Sequence, residues 1–320
     1  MGQAAVPPVR PRAGLFFRQT WDPMSNSQPA MKILLLGGRG LLGSALRAKL
    51  GALGALHSPS HQELDVTDPA AVTRALQQLR PKIVINCTAF SDVDGSESKS
   101  ELAYAVNRDA AAVLVKAADS VAASLVHFST DFVFDGERRT PYQEQDVPHP
   151  LSVYGRSKLA GEQAVLDSAG AHLVFRVSWL YGPGGKNFFS KIAEWLTEDR
   201  ELRVVADQVS VPNDVRWLAG TLCELLREEA ARPGYLAALR GLYHLSATGQ
   251  ASRYDFARAV ADGMGPNVRA RLTPVPASAF PMVAQRPAFS VLDAGRFARV
   301  FGIEPPDWRT VLEAGGSDPA

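Results

Sequence analysis

From Met31 onward, apolar residues fall into short runs separated by stretches of helical spacing. Lys32–Leu36 reads as a strand running into glycines, and Leu41–Leu50 as the helix that follows. The alternation continues with a Pro-initiated helix near Asp68–Leu79, a strand at Lys82–Asn86, an alanine-rich helix near Lys99–Ala118 and a strand at Ser124–Phe128. A helix from about Ser152 to Asp167 and a strand at His172–Val177 complete it. Strands alternating with helices in this way predict an α/β fold, a doubly wound parallel sheet covered on both faces. After about residue 176 the spacing loosens and Pro and Gly cluster, at Gly182–Gly185 and Pro274–Pro287. A smaller, irregular C-terminal lobe is expected over 176–320, with late segments returning to the first lobe of 31–175. Residues 1–30 are Pro-rich, lack periodicity and read as a disordered extension, with Met31 as the natural start of the folded chain.

Composition narrows the function classes. With 320 residues, 46% hydrophobic and 21% charged, the chain can bury a full core. A net charge of +1 provides no global field toward nucleic acid or anionic lipid. Cys87 and Cys223 make no disulfide framework, and no HExxH stands among the six histidines, so no metal site is expected. No apolar run reaches the ~18 residues of a membrane span. A reducing cytoplasm is the expected location.

Gly37-Gly38-Arg39-Gly40-Leu41-Leu42-Gly43 lies between the first strand and first helix. There, glycines allow a tight turn (Gly37), backbone approach to a pyrophosphate (Gly40) and close helix–sheet packing (Gly43), with helix N–H groups facing the phosphates. The first lobe is therefore expected to bind a dinucleotide. The segment Ala55–His61, where the second strand ends, has no carboxylate for a ribose 2′-hydroxyl. Arg39 and Ser60 are candidates for a 2′-phosphate instead. NADPH is expected and NADH stays open, since Arg39 also suits a solvated loop. Asp65 is a candidate adenine contact. Cys87-Thr88-Ala89 follows the third strand, where open α/β sheets place their ligand crevice.

Tyr154 and Lys158 share one face of a predicted helix, and Ser129-Thr130 ends the preceding strand above the same crevice. A bare Tyr/Lys pair is also found on exposed helix surfaces; its position beside Thr130 favours chemistry. Reducing a ketone builds negative charge on oxygen, which a proton donor must neutralise. A lysine ammonium within ~4–6 Å would lower the tyrosine pKa from ~10. Thr130 would orient the carbonyl.

These residues resemble the extended short-chain dehydrogenase/reductases and, within them, the dTDP-4-dehydrorhamnose reductases. The similarity runs from Met31 to about Leu312. It is carried by Glu63–Pro69, Val93-Asp94, Glu97, Ala103–Asn107, His127–Gly136, Tyr154–Glu162, Ser178–Gly182, Gly185-Lys186-Asn187-Phe188 and Arg286-Pro287 through Leu292-Asp293. The resemblance implies NADPH-dependent reduction of the C4 ketone of a dTDP-sugar. Tyr154 would be the proton donor, Lys158 its partner and ribose clamp, and Thr130 the carbonyl anchor. Val66 and Asn107 would join the cofactor residues, and Asp131, Trp179, Asn187 and Arg286 would contact the sugar nucleotide. Read without the family, Trp179 suits a core as well as a ligand, while a diphosphate needs a cationic fork such as Arg286.

Three features depart from the family pattern. Phe132 stands where the family usually has tyrosine, and Gln208–Asn213 follows its counterpart loosely. Some relatives dimerise through metal-bound carboxylates, but Ser44 and Ala45 occupy the corresponding place on the first helix. A homodimer without metal is compatible with the resemblance. Two alternatives stay open: another dTDP-4-keto-6-deoxy sugar, or a non-catalytic NADP-binding regulatory subunit of a methionine adenosyltransferase.

Overall fold

A computed structural model describes residues 31–315 except Lys186. The extension expected over residues 1–30, and Lys186 of the motif at 185–188, lie outside the described residues. Six parallel strands form the main sheet: β1 (Lys32–Leu36), β2 (Ala55–His57), β3 (Ile83–Asn86), β4 (Ser124–Thr130), β5 (Leu173–Val177) and, much later, β10 (Gly241–His244). Their order is β10-β5-β4-β3-β1-β2. The chain leaves β1 toward β2 on one side and returns to β3 on the other. That reversal opens a crevice at the carboxyl ends of β1 and β3.

Both faces of the sheet are buried, so the strands read as continuous apolar runs. Ile33, Leu35, Ile85, Val126, Phe128 and Phe175 face one side, with Leu42 and Leu46 of α1 (Leu41–Leu50). Leu34, Leu36, Val84, Leu125 and Val174 face the other, under α2 (Pro69–Leu79). Asp68 caps α2 by accepting from the N–H groups of Ala70 and Ala71, and Pro69 is its first residue.

The alanine-rich stretch is not one regular helix. After α3 (Val93–Ser98), α4 (Ser100–Tyr104) runs into a widened π-turn over Ala105–Asp109 before α5 (Ala110–Ser120) resumes. The π-turn lies against α6 (Val153–Leu166), the helix of Tyr154 and Lys158, and the fit is close. A Cβ on Gly161 would stand 2.0 Å from the Asn107 carbonyl oxygen. Such turns recur at functional sites.

The later half contains β6 (Leu180–Tyr181), α7 (Phe188–Leu196), β7 (Glu201–Val205), β8 (Val209–Ser210), β9 (Asn213–Asp214) and α8 (Val215–Ala231). It continues through α9 (Tyr235–Ala238), β10, β11 (Ala251–Ser252), α10 (Arg253–Met264), β12 (Arg271–Val275), α11 (Gly295–Phe301) and α12 (Trp308–Gly315). Two destinations divide these elements. Leu218, Leu222 and Leu225 of α8, with Phe297 and Phe301 of α11, join the core under the sheet beside α1. Ile192, Leu196, Leu202, Val204, Phe256, Val260 and Trp308 build a separate core for the second lobe. That lobe is more regular than its Pro and Gly content suggests: α7 and α10 pack around the parallel pair β7–β12.

Candidate active site

The turn after β1 requires its glycines. Gly37 has φ of +75°, and a Cβ there would stand 2.7 Å from the Cys87 carbonyl carbon at the end of β3. A Cβ on Gly43 would meet the Gly37 carbonyl oxygen at 2.1 Å. Gly43 therefore packs against the turn itself, whereas the sequence assigned it to helix–sheet packing; Gly37 makes the close approach to the sheet. Gly40, the N-cap of α1, supplies no side-chain cap, and the first turn carries no acid. The N–H groups of the first turn of α1, from Leu41 onward, face an anion site that fits a dinucleotide pyrophosphate.

A cavity of about 550 Å³ begins at Gly40-Leu41-Leu42-Gly43 and passes Cys87, Thr88 and Ala89. It continues past Thr130, Asp131, Tyr154 and Lys158 to Trp179, Asn187, Arg253 and Arg286. Of the expected residues, Gly37, Arg39, Ser60, Asp65, Val66 and Asn107 are not in this lining. Arg39 is exposed and draws on Glu63, whose carboxylate accepts the Ser60 N–H at 2.7 Å. Asp65 holds a turn by accepting from the N–H and Oγ1 of Thr67 (2.8 and 2.7 Å), and the Val66 side chain faces the core. Asn107 is buried and fully engaged. Its Oδ1 accepts the Phe90 N–H at 2.9 Å, and its Nδ2 donates to Phe90 O and to Ser157 Oγ on α6 (3.1 and 2.9 Å). It joins the loop after β3 to the catalytic helix.

Ser152 caps α6 by accepting the Gly155 N–H, which sets the helix phase that points Tyr154 and Lys158 into the cavity. Burial pushes the Tyr154 phenol up to about 12; the nearby Asp131 carboxylate adds to this and the Thr130 hydroxyl opposes it. The expectation that Lys158 lowers this pKa does not hold in the free chain. Lys158 Nζ donates to Phe128 O at 2.5 Å, and burial pulls its own pKa down to about 8. The phenol is thus protonated at neutral pH, the form a proton donor requires. Phe132 packs edge-on against the Tyr154 ring, with centroids 5.8 Å apart.

Beyond Tyr154 the lining comes from the second lobe. Trp179 has φ of +37°, a strained conformation for a bulky residue. Asn213 holds it there, donating from its N–H to Trp179 O (3.0 Å) and from Nδ2 to Ser178 O (2.7 Å). The buried Trp179 Nε1 has no hydrogen-bond partner among the described residues. Asn187 lines the cavity, but its side chain caps α7 and clamps Gly182 O and Gly184 O (2.9 and 3.2 Å). Arg286 also lines the cavity. Its fork is occupied by Asp94 on α3, at 3.1 and 2.9 Å.

The cation that sequence reasoning missed is Arg253, the first residue of α10. Its guanidinium lies 4.4 Å from the Trp179 ring centroid and 5.0 Å from that of Phe188. It has no ion pair among the described residues; burial and the nearby Arg286 pull its pKa down to about 10 against the opposing charge of the Asp131 carboxylate. Arg253 also lines an adjoining cavity of about 590 Å³ that contains Trp195 and Phe280. No short motif marks Arg253; the β8–β11 pairing brings it to the site.

Comparison with known proteins agrees with this geometry. The family model described as the RmlD substrate binding domain matches residues 31–315. The dTDP-4-dehydrorhamnose reductase of Burkholderia thailandensis is 39% identical over 289 residues, covering 87% of this chain and 96% of the relative. The enzyme of that name from Escherichia coli K12 is 36% identical over 288 residues, covering 87% and 95%. The crystal structure of dTDP-4-dehydrorhamnose reductase from Bacillus anthracis in complex with NADP is 33% identical and superimposes with a TM-score of 0.83, covering 89% of this chain and 98% of that one. On the family match and on these relatives, the chain belongs to the dTDP-4-dehydrorhamnose reductase family.

Proposed function

We propose that the chain reduces the C4 ketone of dTDP-4-dehydro-β-L-rhamnose to dTDP-β-L-rhamnose with NADPH. The observation that carries this reading is convergence: Thr130, Tyr154 and Lys158 meet in one cavity that starts at an uncapped glycine turn. The NADP-bound relative supports the choice of cofactor. Its reduced nicotinamide, when bound, supplies a hydride to C4. Tyr154 gives its phenolic proton to the C4 oxygen, completing the alcohol. Lys158, in the same cavity lining, would hold the nicotinamide ribose. Thr130 holds the carbonyl oxygen.

In this reading the first lobe, residues 31–175, holds the cofactor, and the second holds mainly the sugar nucleotide. Arg253 takes the diphosphate: its half-buried guanidinium is shelved on two rings, lines both cavities and makes no ion pair among the described residues, so it can offer its fork to a phosphate. That position supports a sugar beside Tyr154 and a nucleoside toward Trp195 and Phe280.

The test mixes purified protein with enzymatically prepared dTDP-4-dehydro-L-rhamnose and follows loss of reduced-nicotinamide absorbance, with NADPH and NADH in parallel. Oxidation faster with NADPH, and dTDP-L-rhamnose identified by NMR, is the expected result. A product of different stereochemistry would reassign the sugar. Tight NADPH binding without oxidation of any dTDP-4-keto sugar would overturn the reading in favour of a non-catalytic NADP-binding role.

A further inference from the structure

Asp131 is 3% exposed, and three hydroxyls converge on its carboxylate. Thr130 Oγ1 donates to Oδ1 at 3.1 Å; Ser210 Oγ and Ser290 Oγ donate to Oδ2 at 3.0 and 2.5 Å. The donors come from separate places. Thr130 ends β4 of the main sheet and Ser210 belongs to β8. Ser290 reaches the site because its N–H donates to Val209 O at 2.8 Å. One carboxylate therefore joins the end of the catalytic strand to two segments of the second lobe.

The direction of the Thr130 proton follows from this. An ionised carboxylate only accepts, so in the Thr130–Asp131 bond the proton is Thr130's, and the neighbouring Tyr154 phenol shares the same hydroxyl by donating to its oxygen. The Thr130 oxygen already accepts the Phe132 N–H at 3.2 Å. A Thr130 that anchors a ketone must turn its proton from Asp131 to the ketone oxygen. Ser210 and Ser290 make that turn inexpensive, since they keep the buried carboxylate hydrogen-bonded after Thr130 leaves.

We propose that Asp131 is a positioning residue for the reduction, acting through Thr130. It holds the Thr130 proton in the free protein, releases it to the ketone oxygen when substrate enters, and ties the second lobe to the catalytic strand. This role is additional to the direct sugar contact that the family resemblance implies, which Asp131 in the cavity lining can also make. Its rate consequence rests on the reductase reading; the tie does not.

A double-mutant cycle separates acting through Thr130 from touching substrate. Asp131→Asn lowers kcat about tenfold in the wild-type background, the effect of one misdirected hydrogen bond. In a Thr130→Ala background the same change lowers kcat less than about twofold, with KM for NADPH unchanged in both. Equal losses in both backgrounds, or a rise in sugar-nucleotide KM alone, would overturn the proposal. Hydrogen exchange tests the tie without substrate. The Ser290 N–H, bonded to Val209, exchanges faster in Asp131→Asn and in Ser210→Ala/Ser290→Ala than in the wild type; unchanged exchange would refute the tie. If the wild type reduces no dTDP-4-keto sugar, the reductase reading fails while the exchange result still decides the tie.

Discussion

The two ends of the cavity are built differently. At the cofactor end, neighbouring residues do the work: Gly37, Gly40 and Gly43 lie within seven positions, and backbone geometry alone demands Gly37 and Gly43. At the substrate end, Asp131, Trp179, Ser210, Arg253 and Ser290 arrive from distant stretches of chain. No spacing links them; strand pairing and a buried carboxylate do. The cofactor end should therefore fail by steric collision, and the substrate end by loss of individual polar contacts.

The largest effect should come from Gly43→Ala. The new methyl group would stand 2.1 Å from a backbone carbonyl oxygen with no flexible side chain to yield. Destabilisation of about 3 kcal/mol or more in urea unfolding is expected, with NADPH affinity lost in fluorescence titration. Wild-type affinity would contradict the collision argument. Arg253→Gln should be milder and selective, weakening dTDP binding by at least about tenfold in calorimetry while leaving NADPH binding intact. An equal loss of both ligands would erase the division between the two ends.

A smaller effect concerns pH. Burial raises Asp131 from its ordinary 3.8 to about 6, against the opposing pull of its three hydroxyl donors. Between those values the folded chain binds the proton more tightly than the unfolded chain, so this group makes stability fall as pH rises from 3.8 to about 6. Asp131→Asn removes that slope, and urea midpoints of the two proteins at pH 4 and pH 7 measure it. The smallest effect belongs to Asp94→Ala. Asp94 is 40% exposed, and an ion pair of this kind contributes about 1 kcal/mol or less. With Arg253 carrying the phosphate, dTDP affinity should change less than about threefold. A tenfold loss would move the phosphate to Arg286.

The same contrast explains what was legible in the sequence. The parallel sheet could be read because buried strands are continuous apolar runs and the glycine turn is local. Helix α8 was legible but overlooked: Val215, Leu218, Leu222 and Leu225 repeat at helical spacing within the stretch read as irregular. The π-turn at Ala105–Asp109 had no such signal, since its composition suits an ordinary helix. Arg253 could not be separated from surface arginines because its isolation is created by folding. The pairing of Arg286 with Asp94, 192 positions away, is likewise created by folding and had no local signal. Lys158 was expected to act on Tyr154, but the Phe128 carbonyl that holds it and the burial that dominates the phenol are tertiary facts.

The central claim is that a half-buried, protonated Tyr154 delivers the proton while other groups hold the ligands. Rapid mixing of wild type and Tyr154→Phe with NADPH and dTDP-4-dehydro-L-rhamnose, beside NADPH titrations of both, tests it most directly. The account predicts equal NADPH affinity and a loss of turnover of about a thousandfold in the variant. Turnover within a few fold of wild type, at equal affinity, would contradict it.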